Sequence, residues 1–482
     1  MSIRTEYDIL VIGGGAAGLA ASLAAARSPG IVPLLVSEGP LGGDCTFTGC
    51  VPSKSLLDQA ARGTDFSWAM RTVRAAVERV AENENESVLR SHGVAVVRGR
   101  ARFLTSRSVE VDGTVFFAPR IVIATGARPG FPPIPGLQEV DVLSSDTLWD
   151  LEKQPDSLVV LGGGAIGCEL AQAFVRFGSR VVLLEGQDRL LPAEDAAAGA
   201  VVADALRADG VDVRTGVQVT RVERAQSGGV RVTLGEGPVG RASNREKTGS
   251  VPAQGEAAEV LQGEQLLVAT GRAPVTSGLD LEKVGVLLDE RGAVQADPYL
   301  RTSVAGVYAV GDVTAKSAFT HTADEMGRIV AGNALRTRGR GTRFDDRIVP
   351  RVTFTSPEVA QVGITEAAAV GMKGVLVAQL PFDTVDRAII SGMEQGFVKI
   401  LAGPRPLLGK AFGGRVIGAT IVAPRAGEMI HELALAMRTN CFTGRIAQTI
   451  HAYPTWSMAV RQAAAQFFME VDGRRARPPH AM

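Results

Sequence analysis

The residues of this chain best suited to chemistry begin with Cys45 and Cys50. They stand in the run Gly42-Gly43-Asp44-Cys45-Thr46-Phe47-Thr48-Gly49-Cys50-Val51-Pro52-Ser53-Lys54, with four residues between the two thiols. Four intervening residues make one helical turn or a tight loop, so a helix entered near Cys45 can bring the sulfurs within bonding distance. A pair so placed can carry two electrons by cycling between dithiol and disulfide. Spacing alone also allows half a zinc site, a lasting structural disulfide or two buried thiols. No second Cys/His cluster stands at metal-ligand spacing, so no metal site is expected. Four cysteines in 482 residues suit a reducing compartment, where a disulfide tends to be catalytic or redox-sensing. Cys168 and Cys441 are isolated and read as structural.

Such a couple needs an electron donor, and the glycines point to one. The apolar run Ile9 to Ile12 leads into Gly13-Gly14-Gly15-Ala16-Ala17-Gly18 and an Ala/Leu-rich stretch to about Arg27. The G-x-G-x-x-G pattern thus lies between a strand and a helix, the context a dinucleotide fingerprint requires. Gly13 permits the tight turn, Gly15 lets a pyrophosphate approach the helix N-terminus, and Gly18 lets helix and strand pack closely. The next apolar run, Val32 to Val36, is followed by Glu38, whose carboxylate can accept hydrogen bonds from an adenosine ribose. One motif of this kind is weak evidence, because glycine clusters also make plain turns, but the chain carries a second. Leu158 to Leu161 leads into Gly162-Gly163-Gly164-Ala165-Ile166-Gly167, a helix through about Phe177, and a strand Val181 to Leu184 ending at Glu185. Two complete units predict two dinucleotide sites, which one flavin and one nicotinamide nucleotide suit, with Gly162, Gly164, Gly167 and Glu185 in the second. An acid at Glu185 binds a 2′-hydroxyl and repels a 2′-phosphate, which favours NADH even though Arg180 and Arg189 flank the position.

Ile121-Val122-Ile123-Ala124-Thr125-Gly126 and Leu266-Leu267-Val268-Ala269-Thr270-Gly271-Arg272-Ala273-Pro274 are apolar strands running into small, flexible turns, one after each nucleotide unit. They are buried strand ends on the plainest reading, and their repetition suggests that they close the two domains. A third such strand, Val307-Tyr308-Ala309-Val310-Gly311-Asp312, ends in a carboxylate suited to a ribityl hydroxyl. Residues 226–258 lack apolar periodicity and are expected to form an exposed loop or hairpin extension. From about Ile348 the pattern changes to a mixed sheet with an amphipathic helix through Met437, and residues 471–482 read as a frayed tail. Lys+Arg and Asp+Glu both total 51, so no basic face for nucleic acid or anionic membrane is implied. The N-terminus reads as a strand rather than a signal peptide, and no apolar stretch reaches membrane-spanning length, so a soluble cytoplasmic protein is expected.

In their order along nearly the whole chain, GGGAAG, GGDCTFTGCVPSK, ATGARP, GGGAIGCE, ATGRAP, VYAVGDV, FTSPEVAQVG and HAYPT resemble the pyridine nucleotide-disulfide oxidoreductases. The likeness is greatest to the dihydrolipoamide dehydrogenase and mercuric reductase branch. The resemblance implies an α/β fold with two Rossmann-like nucleotide-binding domains, for FAD and NAD(P), and an α+β C-terminal dimerisation domain. The corresponding division is 1–150 for FAD, 151–275 for NAD(P)H, 276–347 as a central unit completing the FAD site, 348–470 as the interface and 471–482 as the tail. It also implies a homodimer with a shared active site. Carried over residue by residue, Cys50 is the thiol beside the flavin and Cys45 the interchange thiol. Lys54 lies under the flavin edge, and Glu169 is the carboxylate paired with it. By residue type alone, Lys54 would be a lysine on a solvated helix face and Glu169 an acid at a helix start.

The chain departs from the family where disulfide-reducing members carry His-Pro and, four residues later, Glu. Here Tyr453 precedes Pro454 and Met458 takes the glutamate's place. A tyrosine with an unperturbed pKa near ~10 is a poor proton acceptor at neutral pH, which argues against dihydrolipoamide or glutathione turnover. Three readings follow: His451 swings in as the base, His451 is an ordinary core or surface histidine, or Tyr453 assists a metal ion or other acceptor, as the resemblance to mercuric reductases implies. The expected activity is therefore electron transfer from NAD(P)H through FAD to the Cys45–Cys50 couple and on to a metal ion, quinone or disulfide. Dihydrolipoamide dehydrogenase and a redox-sensing flavoprotein are the alternatives.

Overall fold

The computed structural model describes residues 4–226, 228–236, 259–405, 409 and 411–480. Its first sheet is parallel and five-stranded, with Val307–Ala309, Ile121–Ile123, Ile9–Ile12, Pro33–Ser37 and Ala95–Arg98 side by side in that order. The central strands are continuous apolar runs because both of their faces are buried. The stretch expected as a central unit thus returns a strand, Val307–Ala309, to the edge of the first sheet. A second parallel sheet orders Asp212–Thr215, Arg180–Glu185, Ser157–Leu161 and Gln265–Val268.

The helices Ala16–Ala26 and Thr320–Leu335 pack on each other with almost no side chain between them. A Cβ at Gly327 would lie 2.4 Å from the Ala17 carbonyl oxygen, so only alanine and glycine faces permit this approach. The packing fixes where the second helix begins, at Thr320.

The two Ala-Thr-Gly strands pass from their sheets into Ala127–Pro129 and Arg272–Pro274, which pair with each other as an antiparallel ribbon. Their role is to join the two nucleotide units as well as to end each sheet. The C-terminal part is an antiparallel five-stranded sheet ordered Arg351–Thr353, Glu358–Gly363, Arg415–Ala423, Phe397–Gly403 and Leu376–Pro381, with helix Ala426–Arg438 packed on it. Most of the expected extension at 226–258 lies outside the described residues; Val230–Glu236 and Val260–Gly263, which flank it, pair antiparallel.

The end of the chain is docked rather than frayed. Arg477 exchanges backbone hydrogen bonds with Val377 at 2.7 and 2.9 Å, and its guanidinium pairs with Glu366. The reason lies beneath it: Lys399 is completely buried, with Nζ 2.8 Å from both Asp195 Oδ1 and Glu366 Oε2. Two buried carboxylates around one ammonium leave a charge to be balanced, and Arg477 and His480 supply the remaining donors. Burial pushes the Glu366 carboxyl up, but Arg477 and Lys399 outweigh it and bring the group down to about 2. Its folded value is therefore below its unfolded one. The stability it contributes is fully present above pH ~4.5 and is lost as the pH falls toward 2. Lys399→Met removes the cation and leaves Asp195 and Glu366 facing each other. A loss of about 3–5 kcal/mol is expected, read as a fall in the thermal midpoint at neutral pH.

Candidate redox site

The two glycine turns are built alike. Gly13 has φ +116° and a Cβ there would lie 2.2 Å from the Ala124 carbonyl oxygen; Gly162 has φ +113° and a Cβ would lie 2.5 Å from the Ala269 carbonyl oxygen. Each turn therefore rides on the strand that ends in Ala-Thr-Gly, which explains why that motif occurs twice. Gly18 and Gly167 close the packing, each with a hypothetical Cβ 1.8 Å from the first glycine's carbonyl oxygen. Gly15 and Gly164 differ from these: nothing lies within 4 Å of a Cβ at either, and each starts a helix with no side-chain cap. Open space in front of uncapped backbone amides fits the pyrophosphate of a dinucleotide at both turns.

Glu38 is exposed just past the strand Pro33–Ser37. Glu185 ends its strand with both carboxylate oxygens engaged, Oε2 accepting from Gly163 N at 2.7 Å and Oε1 from Gln187 N at 2.8 Å. Arg189 turns away to the Pro192 carbonyl, at 3.0 Å. Thr125 Oγ1 donates to the Val275 carbonyl at 2.6 Å, and Gly126 and Gly271 both have positive φ at the start of the ribbon. Gly311 and Asp312 follow the strand Val307–Ala309, where burial pushes the Asp312 carboxyl up and Arg272, 4.0 Å away, opposes the shift.

Cys45 and Cys50 do not share one helical turn. Cys45 lies in the short helix Gly43–Phe47 and Cys50 opens the helix Cys50–Ala61, with the break at Thr48 and Gly49. Pro52 is the cause: without an N–H it is tolerated only in a first turn, so the helix has to restart just before it. A Cβ at Gly49 would lie 2.8 Å from the Asp44 carbonyl oxygen, so the chain turns a tight corner between the two cysteines. Both are free thiols in this structure. The hydrogen bond from Cys45 lowers the Cys50 thiol well below its ordinary value; burial opposes this, and the Thr320 hydroxyl and Lys54 ammonium add to the lowering. The same hydrogen bond, with burial, pushes Cys45 up.

One turn after Cys50, Lys54 Nζ lies 2.8 Å from Glu169 Oε2 and 4.5 Å from the centre of the Phe354 ring. Glu169 is only 3 % exposed, and its Oε1 accepts from Phe354 N at 2.8 Å. The site therefore gathers Cys45, Cys50, Lys54 and Glu169, and does not include Tyr453 or His451 of the same chain. Tyr453 is 67 % exposed and donates to Asp386 Oδ2 at 2.8 Å, a contact that pushes its phenol up. His451 places Nε2 3.1 Å from Glu432 Oε2 and Nδ1 3.0 Å from the Thr449 carbonyl, so both ring nitrogens face acceptors.

The family described as pyridine nucleotide-disulphide oxidoreductase matches residues 7–327, and its dimerisation domain matches residues 349–464. The chain belongs to this family. It is an FAD-dependent NAD(P)H oxidoreductase with the expected α/β fold and a dimerisation domain. Mercuric reductase of Bacillus cereus is 33% identical over 97% of this chain and 72% of its own length. Dihydrolipoyl dehydrogenase of Thermus scotoductus is 35% identical over 95% of this chain and 96% of its own. Among solved structures, the HOCl-induced flavoprotein disulfide reductase RclA of Escherichia coli matches with a TM-score of 0.82 at 30% identity, covering 95% of this chain and 99% of that one. A Cu(II) complex of RclA gives a TM-score of 0.82 at 28% identity over 96% and 99% of the two chains. No helix among the described residues is long and apolar enough to cross a membrane.

Three residues of this oxidoreductase's site escape sequence reasoning. Thr320 Oγ1 lies 3.3 Å from Cys50 Sγ, Phe354 packs on Lys54, and Arg272 pairs with Asp44 beside Cys45. Arg272 and Phe354 stand inside recognised motifs, ATGRAP and FTSPEVAQVG, and could have been found there; Thr320 carries no local signal. Filling the two turns separates their occupants. Gly15→Val is expected to purify without bound flavin. Gly164→Val is expected to keep the flavin's visible absorption and to lose its bleaching by NAD(P)H.

Proposed function

We propose that this protein uses the Cys45–Cys50 couple to pass electrons from NADH to a metal ion or quinone, in a cytoplasmic homodimer whose active site is completed by the C-terminal domain of the partner subunit. FAD would be held by Gly13, Gly15, Gly18, Glu38, Thr125, Gly126, Gly311 and Asp312, and NADH by Gly162, Gly164, Gly167, Glu185 and Gly271. Bound FAD supplies the relay by which the two electrons of NADH reach a disulfide. The observation that carries the reading is the column Cys50, Lys54, Glu169, in which a fixed cation stands one helical turn from an acidified thiol.

The chain's own residues do the following. Cys45, whose proton is held tightly, and Cys50, whose proton is not, form a dithiol that is already one thiol and one thiolate at neutral pH. Reduction of the disulfide breaks the S–S bond, places two electrons on the sulfurs and binds one proton, at Cys45. Lys54 offsets the negative charge on Cys50, and Glu169 keeps Lys54 in place against the start of the C-terminal sheet. Cys45 is then the sulfur that meets the acceptor.

A dihydrolipoyl substrate requires a base beside Cys45, and the C-terminal segment offers a poor one. Tyr453 is bound to a carboxylate that strengthens its hold on its proton, and both ring nitrogens of His451 are turned to oxygens of its own chain, Glu432 Oε2 and the Thr449 carbonyl. The mercuric reductases among the relatives and the Cu(II) complex of RclA support a metal-ion acceptor. NADH rather than NADPH is favoured by Glu185, whose fixed carboxylate repels a 2′-phosphate.

Anaerobic reduction with NADH, followed by rapid mixing with lipoamide, a quinone or Cu(II), tests this reading. Fast reoxidation by quinone or Cu(II) alone is expected. Fast reoxidation by lipoamide would make the protein a dihydrolipoyl dehydrogenase, and slow reoxidation by every acceptor would make it a sensor. Cys50→Ala is expected to lose the long-wavelength absorption of the two-electron-reduced enzyme while still oxidising NADH with artificial dyes.

A further inference from the structure

The Cys50 sulfur lies against two helix starts at once. One is its own helix, Cys50–Ala61. The other is the 16-residue helix Thr320–Leu335, which approaches from 270 residues further along the chain. Thr320 is the first residue of that second helix, and the residue before it, Phe319, provides no side-chain cap. The Thr320 Oγ1 to Cys50 Sγ separation is 3.3 Å, a hydrogen-bond distance to sulfur. A hydroxyl can donate to a thiolate or accept from a thiol, so the direction of this bond follows the charge on the sulfur. The position of this helix start is set by packing: Gly327 lets Thr320–Leu335 lie backbone to backbone on Ala16–Ala26.

We infer that the Thr320 hydroxyl is a positioning group of the dithiol, donating to the Cys50 sulfur it meets at 3.3 Å and so helping to hold negative charge there. The inference rests on the proposed roles of the two cysteines. Its consequence is a division of labour between the sulfurs: one proton stays on Cys45 and the other leaves to solvent. Lys54 also favours charge on Cys50, but its ammonium is shared with Glu169 and with the face of Phe354. The other charged or titratable groups facing Cys50 are Cys45 from the preceding helix, Glu169 and Asp312, whose negative charges oppose a thiolate, and His321 beside Thr320. His321 Nε2 meets the Pro350 carbonyl at 2.8 Å, and burial lowers this imidazole's affinity for a proton, so it adds little positive charge at neutral pH. Against these two opposing carboxylates, the hydroxyl supplies a second stabilising contact beside Lys54.

The test compares wild type with Thr320→Val and Thr320→Ser as reduced holoenzymes, by two readouts. The first is the pH midpoint of the long-wavelength absorption. The second is the pH dependence of iodoacetamide alkylation resolved for each cysteine by mass spectrometry, which does not require the flavin to report. Losing a hydrogen bond to a charged group is expected to raise both Cys50 midpoints in Thr320→Val by about one pH unit, roughly a tenfold loss of thiolate at fixed pH below the midpoint. Thr320→Ser keeps the hydroxyl and is expected to stay near wild type. Cys50 profiles of Thr320→Val that overlay those of wild type would overturn the inference, as would an equal shift in Thr320→Ser. Failure of the proposed function looks different: wild type would lack the long-wavelength band, and Cys50→Ala would turn over its acceptor normally.

Discussion

Glu169 sits almost fully buried at the start of a helix in the second nucleotide unit, and each of its carboxylate oxygens has one task. One oxygen holds Lys54 of the first unit; the other holds the Phe354 amide of the C-terminal part. Three pieces of the chain, each with its own sheet, thus meet at a single carboxylate. A buried charge of this kind is costly unless every lone pair is used. That cost makes the position specific: if Lys54 is displaced, the carboxylate is left without a cation; if the C-terminal sheet slides, it is left without an amide. The placement of the thiols follows, because Cys50 is one turn from Lys54 on the same helix.

The antiparallel ribbon of Ala127–Pro129 and Arg272–Pro274 complements that junction. It leaves each nucleotide unit immediately after the strand against which the glycine turn rides. Arg272 on the ribbon reaches Asp44, the neighbour of Cys45, so the dithiol corner is held from both nucleotide units. Backbone pairing fixes the distance between the units, and charge pairing fixes the corner that must lie between their ligands.

Much of this was legible in the sequence, for a local reason. Gly13, Gly15, Gly18 and their counterparts are demanded by backbone clashes within a few residues, and Cys45 and Cys50 are set by a corner closed inside ten residues. What was not legible depends on partners far away. Thr320 is an unremarkable threonine until the helix it begins is packed against Ala16–Ala26. The arginine- and proline-rich C-terminus reads as disorder by composition, and its order comes from a buried carboxylate at Glu366 that local pattern does not reveal. Of the two geometries the cysteine spacing allows, one helical turn or a tight loop, the structure takes the second because Pro52 restarts the helix, a signal present in the sequence.

Glu185 carries a consequence for how such an enzyme can change over evolutionary time. Its carboxylate is not a free hook for a ribose, because it also fastens the Gly163 and Gln187 amides at the edge of the second turn. A lineage drifting toward NADPH cannot simply exchange this acid for a base. The substitution that removes the repulsion also unfastens the loop that shapes the pocket, so an intermediate form pays in both recognition and order. If Glu185 selects NADH as proposed, cofactor preference at this position is held by the architecture of the turn, and a switch has to recruit a second change that secures those two amides.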